Sequence, residues 1–207
     1  MKKHLSLVGA LLTTGMLTTP VYAATHYYVS GNVGVSSFSN IKIKTASTGV
    51  LEGTAATTPG IDLMGAAGRS FGNFRLEGEV GYQRNNSDTY TFSRGVFPLT
   101  GHFSVTSYMI NSYYDIKAGA ITPYLSAGLG LARVSLNKVP DPPVILNETQ
   151  SALGYQFGVG IAVPVTKTID IDARYRYSGT STVTLNGSPA KLDISGSGIL
   201  VGVRVGL

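Results

Sequence analysis

Residues 169–177 read IDIDARYRY. Ile169, Ile171, Ala173, Tyr175 and Tyr177 alternate without a break with Asp170, Asp172, Arg174 and Arg176. Side chains along a strand point to opposite faces in turn, so this stretch predicts a strand with one apolar, aromatic face and one face of four charges. Which face meets the surroundings decides the fold, and the rest of the chain supplies the answer.

Only 13% of the residues are charged, Gly numbers 26, Tyr 12, and Trp and Cys are absent. Soluble domains carry about 25% charged residues, so this composition resembles that of a membrane protein. No run of about 20 apolar residues, the length a membrane helix needs, follows the N-terminus. Without Cys there is no disulfide framework, thiolate nucleophile or Cys-ligated metal. At the start, Lys2 and Lys3 precede a short apolar core from Leu5 to Leu17 and the small-residue pattern Val21-Tyr22-Ala23. That arrangement predicts a secretory signal peptide over 1–23 and a mature domain over 24–207. Loss of Lys2 and Lys3 takes the formal charge from +5 to +3, too mild for a nucleic-acid footprint.

From residue 27 onward the alternation recurs. Segments are expected at 27–38, 60–71, 74–84, 102–116, 122–136, 152–163, 169–178 and 194–207. Each is near the roughly 9–11 residues that a tilted strand uses to cross a membrane. The links alternate in length: Gly72-Asn73, Lys117–Ile121 and Pro164–Thr168 are short, whereas 39–59, 85–101, 137–151 and 179–193 are long. An even strand count with short turns at one end and long loops at the other predicts an all-β fold, an eight-stranded antiparallel transmembrane barrel.

Cost then assigns the faces. A basic side chain facing mid-bilayer lipid costs about 2–4 kcal/mol, an acid somewhat less. A one-residue slip of the IDIDARYRY strand would expose all four charges, at about 8 kcal/mol or more. The apolar face is therefore outside. By parity the lumen receives Asn32, Arg75, Glu77, Glu79, Asn111, Asp115, Asp170, Asp172, Arg174, Arg176 and Arg204. These acids and bases nearly balance, and the interior of an eight-stranded barrel is just wide enough for side chains to fill it. An ion-pair plug is expected, with inward Gly128, Gly130, Gly158 and Gly160 making room for long Arg and Glu side chains. Tyr27, Phe71, Phe74, Tyr82, Tyr108, Tyr114, Tyr155 and Tyr177 suit aromatic girdles at the two interfaces.

The blocks YYVSGNVGVSSF, FRLEGEVGYQR, SYMINSYYDI followed by ITPYLSAGLGLA, and YQFGVGIAVPVTKTIDIDARYRY with a terminal GILVGVRVGL resemble, in order, the OmpA/OmpX-like and opacity-protein/surface-antigen superfamily. The resemblance spans nearly all of the mature chain. It implies both termini in the periplasm, four variable loops outside, and service as a surface antigen, adhesin or envelope structural protein. It also implies passage through the barrel-assembly machinery, whose outward signal here is Ile199, Val201, Val203 and Val205, ending in Leu207 where the family normally ends in an aromatic residue. No second, cell-wall-binding domain is expected after the eighth segment.

Candidate chemistry is sparse. His102 and Ser104 share an outward face, as a Ser-His lipid A-modifying enzyme would need, but an orienting acid is missing from the obvious neighbours. The lumen acids read as structural ion pairs, and no catalytic residue, cofactor or metal site is expected. Arg84 and Arg133, outward at the loop ends of their strands, are candidates for contact with lipopolysaccharide phosphates. Outer-membrane lipids and a host or environmental ligand at the loops are the expected partners, and the barrel is expected to be a monomer. A small pore is the alternative function. Val144-Ile145-Leu146 reads as a strand extension above the membrane.

Overall fold

The computed structural model describes residues 27–207 apart from 39–40, 46–47, 49, 93–94, 99–100, 142–143 and 185–189. The expected signal peptide lies outside the described residues. Burial is inverted relative to a soluble protein. Arg75, Glu77, Glu79, Asp62, Arg174 and Arg176 are buried, while Val33, Ile110, Leu129, Phe157 and Ile199 are at least half exposed.

Eight strands carry this inversion: β1 Tyr27–Phe38, β2 Gly60–Phe71, β3 Phe74–Phe92, β4 His102–Asp115, β5 Thr122–Asp141, β6 Val144–Pro164, β7 Ile169–Thr180 and β8 Ser195–Gly206. Each pairs antiparallel with its sequence neighbour, and β1 pairs with β8 in the register Val33↔Val201, which closes the barrel. Closure satisfies the backbone polar groups that an open edge would leave unpaired in lipid. Among the described residues no helix is long and apolar enough to cross a membrane. The tight turn at Gly72-Asn73 is set by Gly72, whose φ of 68° suits a residue without a side chain. The start of β1 and the end of β8 lie at this same short-turn end, where the Leu207 amide donates to the Tyr27 carbonyl at 3.0 Å.

The long links differ from the expected loops. They contain strands Ile41–Thr45, Leu51–Thr57, Gly95–Pro98, Val183–Thr184 and Ala190–Asp193, while β3, β5 and β6 run past their expected ends. Ala190–Asp193 pairs with Ile41–Thr45, which pairs with Leu51–Thr57, which pairs with the outer part of β3. Val144, Ile145 and Leu146 extend β6 against Asp141, Pro140 and Val139 of β5. Stretches such as IKIKT are too short to cross a membrane but alternate well enough to prolong pairing in water.

At the loop end, Phe38, Ile41, Phe103, Val134, Leu136, Ala152, Val183, Leu192 and Ile194 form one apolar cluster, with Val105 packed against it. Phe38, Phe103, Val134, Leu136 and Ala152 come from the inner face of the barrel strands. Ile41, Val183 and Leu192 come from the extra strands above. An apolar gasket thus closes the lumen on the loop side.

Candidate functional site

Below the gasket the lumen is polar, and the inward charges form successive layers. At the short-turn mouth Arg204 donates through Nε and Nη2 to Asp170 Oδ2 at 2.9 and 2.8 Å. One layer deeper, Arg75 Nε lies 2.8 Å from Asp115 Oδ2, and its Nη2 2.9 Å from Oδ1. Arg75 Nη1 reaches Glu77 Oε1 at 3.2 Å, and Tyr28 Oη donates to the same oxygen at 2.7 Å. The Arg75 guanidinium also lies 4.2 Å from the Tyr113 ring centroid, within cation–π range.

Asp172 Oδ1 accepts from Tyr124 Oη at 3.0 Å and Asn32 Nδ2 at 3.2 Å. Arg174 donates to Tyr113 Oη at 2.7 Å and to Asn32 Oδ1 at 3.3 Å. Glu79 is held by Asn111 Nδ2 at 2.9 Å and Gln156 Nε2 at 3.1 Å, with Arg174 and Arg176 each 3.7 Å away. Nearest the gasket, Arg176 pairs with Asp62 at 2.5 Å and donates to Gln156 Oε1 at 3.2 Å.

Every charged lumen residue expected from the sequence, Arg75, Glu77, Glu79, Asp115, Asp170, Asp172, Arg174, Arg176 and Arg204, lies on the inner face and joins these layers, as do Asn32 and Asn111. Sequence parity missed Asp62, although Ile61 and Leu63 flank it as Ile169 and Ile171 flank Asp170. It also missed the inward phenols Tyr28, Tyr113 and Tyr124, which share faces with Asn32, Asp115 and Thr122. With Asp62 the carboxylates outnumber the guanidiniums, so Glu79 and Asp172 lean on amides and a phenol for their remaining bonds.

The expected role of the inward glycines needs correction. A Cβ at Gly160 would overlap the Tyr124 ring, and one at Gly128 would overlap the Asn111 amide. Close approach is required there by a ring and an amide, not by long charged side chains. At Gly130 the obstacle is the Tyr108 backbone carbonyl. Gly158 alone among these positions stands beside an Arg, with the Arg174 chain 3.4 Å from a Cβ built there.

Small cavities interrupt the packing. One of about 10 Å³ lies among Asn32, Arg75, Tyr124, Asp172 and Arg174. Another of about 40 Å³ lies between Asp62, Gln156 and Arg176 below and Phe38 and Ile194 above. They have room for one water and a few waters respectively.

Outside, Arg84 and Arg133 are exposed on the outward faces of β3 and β5 near the loop end. Ser104 of β4 pairs with Arg84, and Thr106 with Arg133, so one strand separates the two cations. His102 and Ser104 flank the buried Phe103 and do face outward. Their cross-strand partners are Asn86, Asn137, Arg84 and Ser135, and none is a carboxylate. No group of three or more metal-ligating residues occurs among the described residues.

Comparison with known proteins follows the same lines. The outer membrane protein beta-barrel domain family matches residues 9–205. Outer membrane protein PagN of Salmonella typhimurium is 47% identical over 58 residues, 27% of this chain and 24% of PagN. The likeness thus spans about a quarter of that relative's length. Neisserial surface protein A superposes with a TM-score of 0.60 at 22% identity, over 87% of this chain and 97% of that one. OprG from Pseudomonas aeruginosa gives 0.57 at 13% identity, over 90% and 98% of the two chains. At these identities the likeness of the two structures is one of fold. The chain belongs to the outer membrane protein beta-barrel domain family, and its place is the outer membrane of the cell.

Proposed function

We propose that the protein is a non-enzymatic surface adhesin or antigen, a closed barrel that carries a strand-paired platform outside the cell. The observation that supports this most is the filled lumen, charged below and apolar above. With the interior taken up by packing, the accessible chemistry is on the platform. There Lys42 is exposed, while Lys44 and Lys191 are half-exposed and directly opposite each other. Like charges facing across strands repel, and Asp193 compensates one of them, at 2.5 Å from Lys44. The remaining positive charge suits an acidic polysaccharide on a facing cell.

Arg84 and Arg133, one layer lower, suit lipopolysaccharide phosphates of the protein's own membrane. Assembly would pass through the barrel-assembly machinery, and the finished protein would act as a monomer. The test is adherence of bacteria displaying the wild-type chain to surfaces coated with sulfated or neutral polysaccharide. Binding to the sulfated surface that falls several-fold in Lys42→Glu/Lys191→Glu supports the reading. Equal binding by the wild type, the variant and cells without the protein overturns it.

A further inference from the structure

The outer wall of the barrel is not evenly bulky. An open trough of about 710 Å³ crosses β8, β1, β2 and β3. Its floor is the cross-strand pair Gly31↔Gly65. Val203, beside Gly31, and Val80, beside Gly65, are its side walls, about 14 Å apart at three strand spacings. Nothing lies within 4 Å of a Cβ built on Gly31, Gly65 or Gly78, so the trough faces open lipid.

Its two ends differ. Toward the loops it is shut by the outward row Val33, Leu63 and Tyr82. Toward the short turns the low floor continues through the pair Ala67↔Gly78 and leads, along β2, to Arg69. Arg69 lies four residues from Gly65, roughly 14 Å along the strand. With the strand tilted by about 40°, that is roughly 10 Å of membrane depth. Its guanidinium stands 4.9 Å from the Phe71 ring centroid and 5.1 Å from that of Tyr27. It pairs with no carboxylate among the described residues. Short turns of such barrels face the periplasm, so this cation is held between two rings at the level of the inner-leaflet headgroups.

We propose that this face binds one phospholipid of the inner leaflet. Its phosphate sits on Arg69, and one acyl chain runs over Ala67 and Gly78 into the trough, ending under Leu63 and Tyr82. Burial of the chain adds little by itself, because lipid surrounds the barrel everywhere. Selectivity comes from van der Waals fit to exposed backbone and from the charge-assisted bond to phosphate. A lipid A chain descending from Arg84 would have to pass the bulky row that shuts the upper end, which is why the inner leaflet is favoured.

Native mass spectrometry of the refolded protein with dioleoyl phosphatidylglycerol or with lipid A tests this. The variants are Arg69→Gln, Gly65→Leu and Arg84→Gln, each first checked for heat-modifiable mobility. The Cβ of Gly65→Leu meets no atom within 4 Å, and the rest of the side chain occupies the trough. The wild type and Arg84→Gln are expected to keep one phosphatidylglycerol under activation that strips the others. Arg69→Gln and Gly65→Leu should each lower that occupancy about tenfold, the loss of one charge-assisted contact or of the chain's seat. Undiminished retention by folded Gly65→Leu overturns the proposal. So does preferential retention of lipid A that depends on Arg84, or a dimer that Gly65→Leu abolishes.

Discussion

Asp62 and Arg176 show what one side chain can decide. The two are buried together just below the gasket. Removing Arg176 strands the Asp62 carboxylate, and removing Asp62 leaves Arg176 only the Glu79 carboxylate, 3.7 Å away; breaking a buried pair in this way costs about 3–5 kcal/mol. Arg176→Ala and Asp62→Ala should each lower the urea midpoint of the barrel in lipid vesicles by a corresponding amount. Arg75→Ala is expected to be at least as damaging, since it strands Asp115 and Glu77 together. Arg174→Ala and Glu77→Ala should lower the temperature at which the folded band converts on a gel. Unchanged conversion in both would argue against a cooperative network. The inward acids and bases of β3 and β7 were legible because strict alternation exposes them. Asp62 was not, since a single acid in the run GIDLMGAAG makes a weak pattern. The bonds of Tyr28, Tyr113 and Tyr124 were hidden for another reason: an inward phenol and a girdle phenol look alike until parity is fixed for the whole strand.

Among the elements, the extra strands above the membrane are joined by their backbone ladders and, among the described residues, by few side-chain bonds. Lys44 Nζ and Thr182 Oγ1 both bond Asp193, at 2.5 and 2.7 Å, and tie Ile41–Thr45 and the start of the last long link to Ala190–Asp193. These bonds, that from Lys44 first, hold the Asp193 carboxyl below its ordinary value. The contribution is therefore complete above about pH 4, the ordinary Asp value, and is lost as pH falls through the lower folded value. For a partly exposed pair it amounts to about 0.2–1 kcal/mol. Backbone amides of 190–193 should exchange faster well below about pH 4, the ordinary Asp value, than near pH 7, after correction for intrinsic rates. Asp193→Asn should show that faster exchange already at neutral pH. None of this pairing was readable beforehand. Stretches of four to seven residues carry too little periodicity to be told from irregular loop, and their partners come from distant links. The gasket escaped for a related reason. Phe103, Val105, Val134 and Leu136 place apolar side chains on the inner face, where the pattern farther down the strands had promised charges.

For the molecule as a whole, charge layers and gasket are barriers in series. Wild-type protein is expected to be silent in planar bilayers at high concentration. Arg176→Ala should be silent too, because the gasket remains intact above the lost pair. Stepwise openings from that single variant would show that the apolar cluster does not seal. Phe103→Ala should cost about 3–5 kcal/mol, the usual figure for truncating a buried Phe, read from the same urea titrations. At this scale the sequence was most informative. Strand count, closure and the inside-out distribution of polarity all follow from alternation and from unequal link lengths.

The charge layers also bear on the order of assembly. Asn32 bonds Asp172 across 140 residues of chain, and Arg176 bonds Asp62 across 114. A hairpin of β7 and β8 entering lipid alone would carry Arg174 and Arg176 with neither Asn32, Glu79 nor Asp62 to receive them. Each half-inserted intermediate therefore holds bare charge in hydrocarbon, and the penalty is relieved only when β1 meets β8. Insertion is thereby made concerted: the sheet must curl toward its final ring before it leaves water, with the slow contacts, those between the chain's two ends, formed at the barrier rather than after it.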